Sequence, residues 1–250
     1  QFLQKAADAE YPNALTYYSV MYETGKTVPK DREMSRYYSR RAAQTMEETG
    51  ITGHIYNLTK DSSSQANQRE IFEWCLILAK EGSPLGQHLL ACCYLDGMGT
   101  GEDYGKAIEL LHLAVEGGEP QAYLQLCVIN FLGKGTEVNY EEAERWGRKA
   151  AEAGIDKGHL FVFFCEAIPA EKQGAPVSAE AVQHLEKAVE MGLADAQFYY
   201  GQCLLEGLHG IKKDYAKALQ LLKQAKEKGY EKASAYIPLA QAEVDKAQGK

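Results

Sequence analysis

GEPQAYLQLCVINFLGKGTEVNYEEAERWGRKAAEA, residues 118–153, is the stretch on which the fold of this chain turns. Pro120 stands where a helix can open, because the amide N–H that proline lacks has no partner in a first turn anyway. An apolar helix A is predicted to run from there to about Leu132. It stops at Gly133-Lys134-Gly135, whose glycines supply the left-handed backbone that ends a helix without a Cβ penalty. Asn139 then offers a side-chain cap, with Glu142 three residues on completing something close to a capping box, and helix B is predicted to run to Ala153.

Outward from this stretch the pattern repeats. A glycine that opens a unit recurs at Gly82, Gly118, Gly154, Gly192 and Gly229, spaced 36, 36, 38 and 37 residues apart. A period of that size means stacked supersecondary units, each too small to bury its own apolar face. The punctuation keeps register: Pro12, Pro84 and Pro120 at the start of helix A; Gly25, Gly97, Gly133 and Gly207 at its end; Asp31, Asp103, Asn139 and Asp214 as caps of helix B. Small residues recur within helix B as Ala107 and Ala114, Ala143 and Ala150, Ala181 and Ala188, Ala218 and Ala225, which lets helices approach closely along one seam. Tyr38, Leu110, Trp146 and Leu221 are the large partners there.

Ala122 to Ala151, with Gly133-x-Gly135, Asn139, Ala143, Trp146 and Ala150-Ala151, resembles the Sel1-like repeat, a relative of the tetratricopeptide repeat, and the resemblance extends over nearly the whole chain. The expected architecture is all-α: a right-handed α/α superhelix (solenoid) of antiparallel helix pairs, about six repeats in a single domain over 1–250. A half repeat at 1–9 is followed by repeats at about 10–50, 51–81, 82–117, 118–153, 154–191 and 192–228, and by a terminal half repeat at 229–250. The 51–81 unit is degenerate, having lost the glycine turn, and Asp61-Ser62-Ser63-Ser64-Gln65 reads as a loop before its helix B. In 154–191, Pro169 to Pro176 are expected to replace the usual turn with a longer loop, and Pro238 is expected to kink or end the last helix A.

The resemblance implies a protein–protein interaction scaffold or adaptor binding a protein or peptide. Alternatives it leaves open are an immunity or inhibitor protein that blocks a toxin with its acidic surface, and a hydrolase of Sel1-like type. Some relatives staple helix A to helix B with a cysteine pair in each repeat. That pairing is absent here, since Cys75, Cys92, Cys93, Cys127, Cys165 and Cys203 contain no such set and no C-x-x-C. Free thiols lean toward a reducing compartment, the cytoplasm over a periplasmic or secreted location. Gln1 precedes what reads as the second half of an amphipathic helix, so the natural chain is expected to begin further upstream, with a removed signal peptide left open. Incomplete repeats at both ends leave self-association through the solenoid ends open as well.

Composition narrows the classes. With 45% apolar and 25% charged residues the chain is a folded one. Its net charge of −8, with basic residues scattered, lacks the footprint of a nucleic-acid binder. Apolar runs such as Leu160 to Cys165 fall far short of the roughly 18 residues that span a bilayer, so membrane insertion is not expected.

Helical geometry separates a packing stripe on helix A, exemplified by Leu126, Cys127 and Asn130, from a second stripe expected on the concave side. The partner-binding candidates on the second stripe are His88, Leu95, Leu124, Val128, Phe131, Leu160, Phe164, Phe198 and Gln202. Their apolar character implies either an apolar groove, suited to an amphipathic helix or an extended peptide, or side chains absorbed by repeat packing. The first unit carries the more polar Thr16, Val20 and Glu23, which places the expected surface from the third repeat onward.

No catalytic residues, metal ligands or cofactor motif are identified. His54, His88, His112, His159, His184 and His209 show no H-x-x-x-H spacing. Gly97-Met98-Gly99-Thr100-Gly101 follows a helix and lacks the lysine of a phosphate loop. The acidic and basic groupings at Glu141, Glu142, Glu144 and Glu152, and at Lys212, Lys213, Lys217 and Lys223, read as solvated faces.

Overall fold

A computed structural model describes residues 2–248, which are all helix and turn; Gln1, Gly249 and Lys250, at the outer edges of the two expected half repeats, lie outside the described residues. The helices are α1 (Phe2–Asp8), α2 (Pro12–Thr24), α3 (Arg32–Gln44), α4 (Glu48–Thr59), α5 (Gln65–Lys80), α6 (Pro84–Asp96), α7 (Tyr104–Glu116), α8 (Pro120–Leu132), α9 (Tyr140–Glu152), α10 (Asp156–Gln173), α11 (Ala179–Glu190), α12 (Ala194–Glu206), α13 (Tyr215–Glu227) and α14 (Ala233–Ala247). Taken in pairs from α2, they are six helix A–helix B units, and the chain gathers into two compact bodies, 1–122 and 123–250.

The punctuation works as its chemistry requires. Asp31, Asp103, Asn139 and Asp214 each accept a hydrogen bond from a first-turn amide of helix B, a contribution of about 1 kcal/mol apiece. Pro12, Pro84 and Pro120 open α2, α6 and α8. Gly97 ends α6 at φ 64°, in the left-handed region, with its amide returned to Cys93 O. The seam alanines of helix B are sealed, from Ala107 and Ala114 to Ala218 and Ala225.

Three expectations need correction. The first two units divide earlier than 50/51, since α4 begins at Glu48. Helix α10 does not give way to a loop at Pro169 but carries it inside and continues to Gln173, where Gly174 at φ 64° ends it. Proline sacrifices one backbone hydrogen bond, yet continuing the helix keeps Ala167 and Ala170 buried, and the loop shrinks to 174–178. Of the two outcomes expected at Pro238, an end is overturned: it sits inside α14, which runs on to Ala247 with Ala240 fully buried.

Close approach between helices depends on a register that the punctuation does not reveal. A Cβ on Gly86 of α6 would stand 2.4 Å from Leu78 Cβ on α5, and one on Gly158 of α10 would stand 2.5 Å from the Ala151 amide on α9. The equivalent positions hold Ala14, Gly50, Ala122 and Ala196, each buried. A small residue at the third position of helix A therefore lets it seat against the preceding helix B.

Candidate partner-binding face

The stripe of helix A resolves into three registers of different exposure. Thr16, Thr52, His88, Leu124, Leu160 and Phe198 share one, in which His88, Leu160 and Phe198 are buried and Leu124 is half-buried. Glu23, Thr59, Leu95, Phe131, Ala167 and Leu205 share another, in which Leu95 is buried and Phe131 half-buried. The middle register is Val20, Tyr56, Cys92, Val128, Phe164 and Gln202, and none of its members is buried. Val20 and Tyr56 are 52% and 67% exposed, so the apolar stripe is most open in the first two units, outside the span in which the sequence places it.

In the body formed by 123–250 the stripe is organised by ring contacts. Phe131 meets Tyr140 and Phe161 edge to face, at centroid distances of 5.5 and 5.3 Å, and lies 6.5 Å from Phe164. Phe164 stands edge-on to Tyr199 at 4.7 Å. Phe198 packs against Tyr230 at 4.8 Å and Tyr236 at 5.3 Å, while Gln202 Nε2 donates to the Tyr236 hydroxyl at 3.3 Å. Each pair contributes about 0.5–1.5 kcal/mol beyond its area, so these rings hold successive helices A together while leaving edges free.

Between α10 and α12 the rings border a cavity of about 210 Å³, whose walls include Phe164, Ile168, Tyr199, Gln202, Leu208 and His209. Its rim is fixed by two turns: Val177 N donates to His209 O at 3.2 Å, and His209, at φ 56°, meets the Phe163 ring edge-on at 5.7 Å. Phe164 and Gln202 are the candidates that line it. Val128, Leu124 and Phe131 lie on α8, while Leu160 and Phe198 belong to the packing of their own helices. In the body formed by 1–122, His88 and Leu95 are interior residues; burial holds His88 below the ordinary histidine range, and its Nδ1 has no hydrogen-bond partner.

One constellation escaped sequence reasoning because it joins three helices. Ser39 of α3 lies 2.9 Å from His54 Nδ1 on α4, and His54 Nε2 lies 3.1 Å from Glu70 Oε1 on α5, which also pairs with Arg40 at 2.7 Å. Burial lowers the His54 pKa, with the Glu70 hydrogen bond opposing. A neutral imidazole that donates to Glu70 from Nε2 accepts from Ser39 at Nδ1, in competition with Arg36 O, which lies 3.0 Å from the same hydroxyl. For Glu70, burial resists ionisation, but the hydrogen bonds from His54 and Arg40 outweigh it and hold the carboxyl below its usual range. Serine, histidine and carboxylate are thus aligned, but Ser39 is 2% exposed and His54 0%, so no substrate carbonyl reaches the hydroxyl.

Five of the six cysteines, Cys75, Cys93, Cys127, Cys165 and Cys203, are buried. Cys75 and Cys93 approach to 4.0 Å between sulfurs, and burial pushes the Cys92 and Cys203 thiols up to about 12, away from the thiolate that redox or nucleophilic chemistry needs. Among the described residues no group of three or more His, Cys, Asp or Glu side chains could hold a metal ion, and no helix is long and apolar enough to cross a membrane.

Helix pairs with capped second helices, stacked through a small-residue seam and carrying an apolar stripe on helix A, define an α-helical repeat protein of the solenoid class. The Sel1 repeat pattern matches at residues 12–44, 84–119, 120–155, 173–193 and 194–230, more than half of the chain, and the chain belongs to the Sel1 repeat family. A Sel1 repeat protein from Oxalobacter formigenes superimposes with a TM-score of 0.75 at 22% identity, covering 90% of this chain and 91% of that one, which establishes the shared fold. An uncharacterized protein of Neisseria meningitidis serogroup B, NMB1327, is 30% identical over 143 residues, 56% of this chain and 28% of that relative's length. Sel1 repeats mediate protein–protein interaction. The pattern omits 48–80, yet α4 and α5 form a helix pair there, capped by Ser64.

Proposed function

We propose that this chain is a protein-binding scaffold or adaptor that seats an apolar side chain of a partner helix or extended peptide in the cavity between α10 and α12. The carrying observation is that Phe164 and Gln202 belong to the register of helix A that is nowhere buried, and that both line an apolar cavity of about 210 Å³. A fixed rim and ring-locked walls give the pre-organisation that a binding pocket uses to limit its entropic cost. The reading is non-catalytic: the serine–histidine–glutamate alignment is sealed from solvent, and burial pushes the Cys92 and Cys203 thiols away from the thiolate form.

The test places a photo-crosslinking benzoylphenylalanine at Gln202 and captures partners in extract from the native source. Cross-linked peptides are then mapped, in the parent and in a Phe131→Glu, Phe164→Glu double variant whose helicity is verified by circular dichroism. One partner mapped to the cavity rim and lost in the folded double variant supports the reading. Equal capture by both places the binding surface elsewhere.

A further inference from the structure

We infer that the body formed by 1–122 carries an oxyanion-binding site between its first two helix pairs, independent of the scaffold reading above. A cavity of about 190 Å³ is walled there by Arg32 and Arg36 of α3, Asn57 of α4, Asn67 of α5, Lys60 and the carboxylates of Glu23 and Asp61. The chain as a whole is acidic, at −8, and Arg40, Arg41, Arg145 and Arg148 are each paired with a carboxylate. Among the described residues Arg32 and Arg36 make no ion pair, although both face this cavity.

Charge accounting at the site leaves a surplus. Glu23 is engaged by Lys60 at 3.1 Å and Lys30 at 3.9 Å. Asp61 Oδ1 accepts from Ser63 Oγ at 3.0 Å, and it is the one carboxylate left against two guanidinium groups. Those groups sit four residues apart on one helix, where like charges repel. Such an arrangement is relieved by an anion, and paired guanidinium forks match the planar or tetrahedral oxygens of a carboxylate or a phosphoryl group.

The donors are also held in place. Arg36 Nη2 donates to Asn67 Oδ1, and Asn67, 4% exposed, is itself fixed by donating to Asp61 O at 2.8 Å. Asn57 Nδ2 is anchored on Ser35 Oγ at 2.7 Å. The wall is thus built from three helices whose polar groups are oriented before any ligand arrives.

The test titrates inorganic phosphate and, in a separate arm, acetate into the 15N-labelled full chain at constant ionic strength set with sodium chloride. It follows the side-chain amides of Asn57 and Asn67 and the Nε–H signals of Arg32 and Arg36. A saturable shift in either arm is expected, the responding arm naming the group as phosphoryl or carboxylate. Arg32→Gln, an exposed position that leaves the fold intact, should bind about tenfold more weakly, as should Arg36→Gln. Shifts that never saturate in both arms, or affinity unchanged in a folded Arg32→Gln variant, overturn the inference.

Discussion

The same position of helix A leads two different lives in the two bodies of this chain. In 123–250, Phe164 is flanked by Phe131, Phe163 and Tyr199 and is half-buried. In 1–122 the equivalent Val20 and Tyr56 stand more than half exposed, with the Lys60 ammonium 4.6 Å above the Tyr56 ring. An apolar residue on a repeat stripe is therefore not by itself a sign of either groove or core. Whether the neighbouring helix A supplies a ring decides which it becomes, and for Phe164 those rings, Phe131 and Tyr199, lie 33 and 35 residues away in sequence.

The sharpest way to break this comparison is Phe198→Ala. A ring 4% exposed and packed on Tyr199, Tyr230 and Tyr236 should cost about 3–5 kcal/mol in urea unfolding. A loss below about 1 kcal/mol would place Phe198 with the surface register instead. Phe164→Glu should separate function from fold, weakening partner capture by about 2 kcal/mol, roughly thirtyfold, while circular dichroism is unchanged. Unfolding of that variant would assign Phe164 to the core.

The Asn139→Ala variant should lower stability by about 1 kcal/mol, because the amide of Glu142 loses its cap, with the effect read in the melting curve. Tyr56→Ala, at the exposed end of the comparison, should change stability by less than about 0.5 kcal/mol. A larger loss would show that Tyr56 is packed as its counterpart is.

Histidines sharpen the same contrast between the bodies. His54 is held by an ionised Glu70, whereas His159 meets another histidine, His184, with Nδ1 atoms 2.8 Å apart on α10 and α11. Burial lowers both pKa values; His184 adds to the effect on His159, and Arg148 of α9 to that on His184. Glu144, Asp156, Glu180 and Lys187 complete the charged groups around the pair. The folded pair stays neutral where the unfolded chain takes up protons. Its contribution is present above the unfolded value of 6.5 and is lost as pH falls through the lower folded values. Stability measured from pH 7.5 down to about 5 should decline, and His184→Gln should flatten that slope.

How much of this was legible in the sequence follows from how local each signal is. Caps, proline starts and glycine stops act within a few residues of themselves, and Asp103, Pro84 and Gly97 do in the structure what their positions predict. Pro169 and Pro238 misled because a local breaking tendency was overruled by burial of Ala167, Ala170 and Ala240 against other helices. The small-residue register at Ala14, Gly50, Gly86, Ala122 and Gly158 recurs at a constant spacing of 36 and could have been found by aligning the units on their third helix A position. The Ser39–His54–Glu70 alignment and the Arg32–Arg36 cavity have no such signal, since each is assembled from helices of adjoining units.

The tight seating of Gly86 and Gly158 has a consequence for how such a chain tolerates change. A Cβ at either position would stand 2.4 to 2.5 Å from atoms of the preceding helix, so both positions are closed to any larger residue. The unit of 38 residues takes up its extra length in α10 itself, which has 18 residues against 13 in α6 and α8, and the unit of 37 in the turn 207–214. The turn between helix A and helix B is thus the position at which new loops can be grafted, and recognition can diversify there while the contacts between helices are kept.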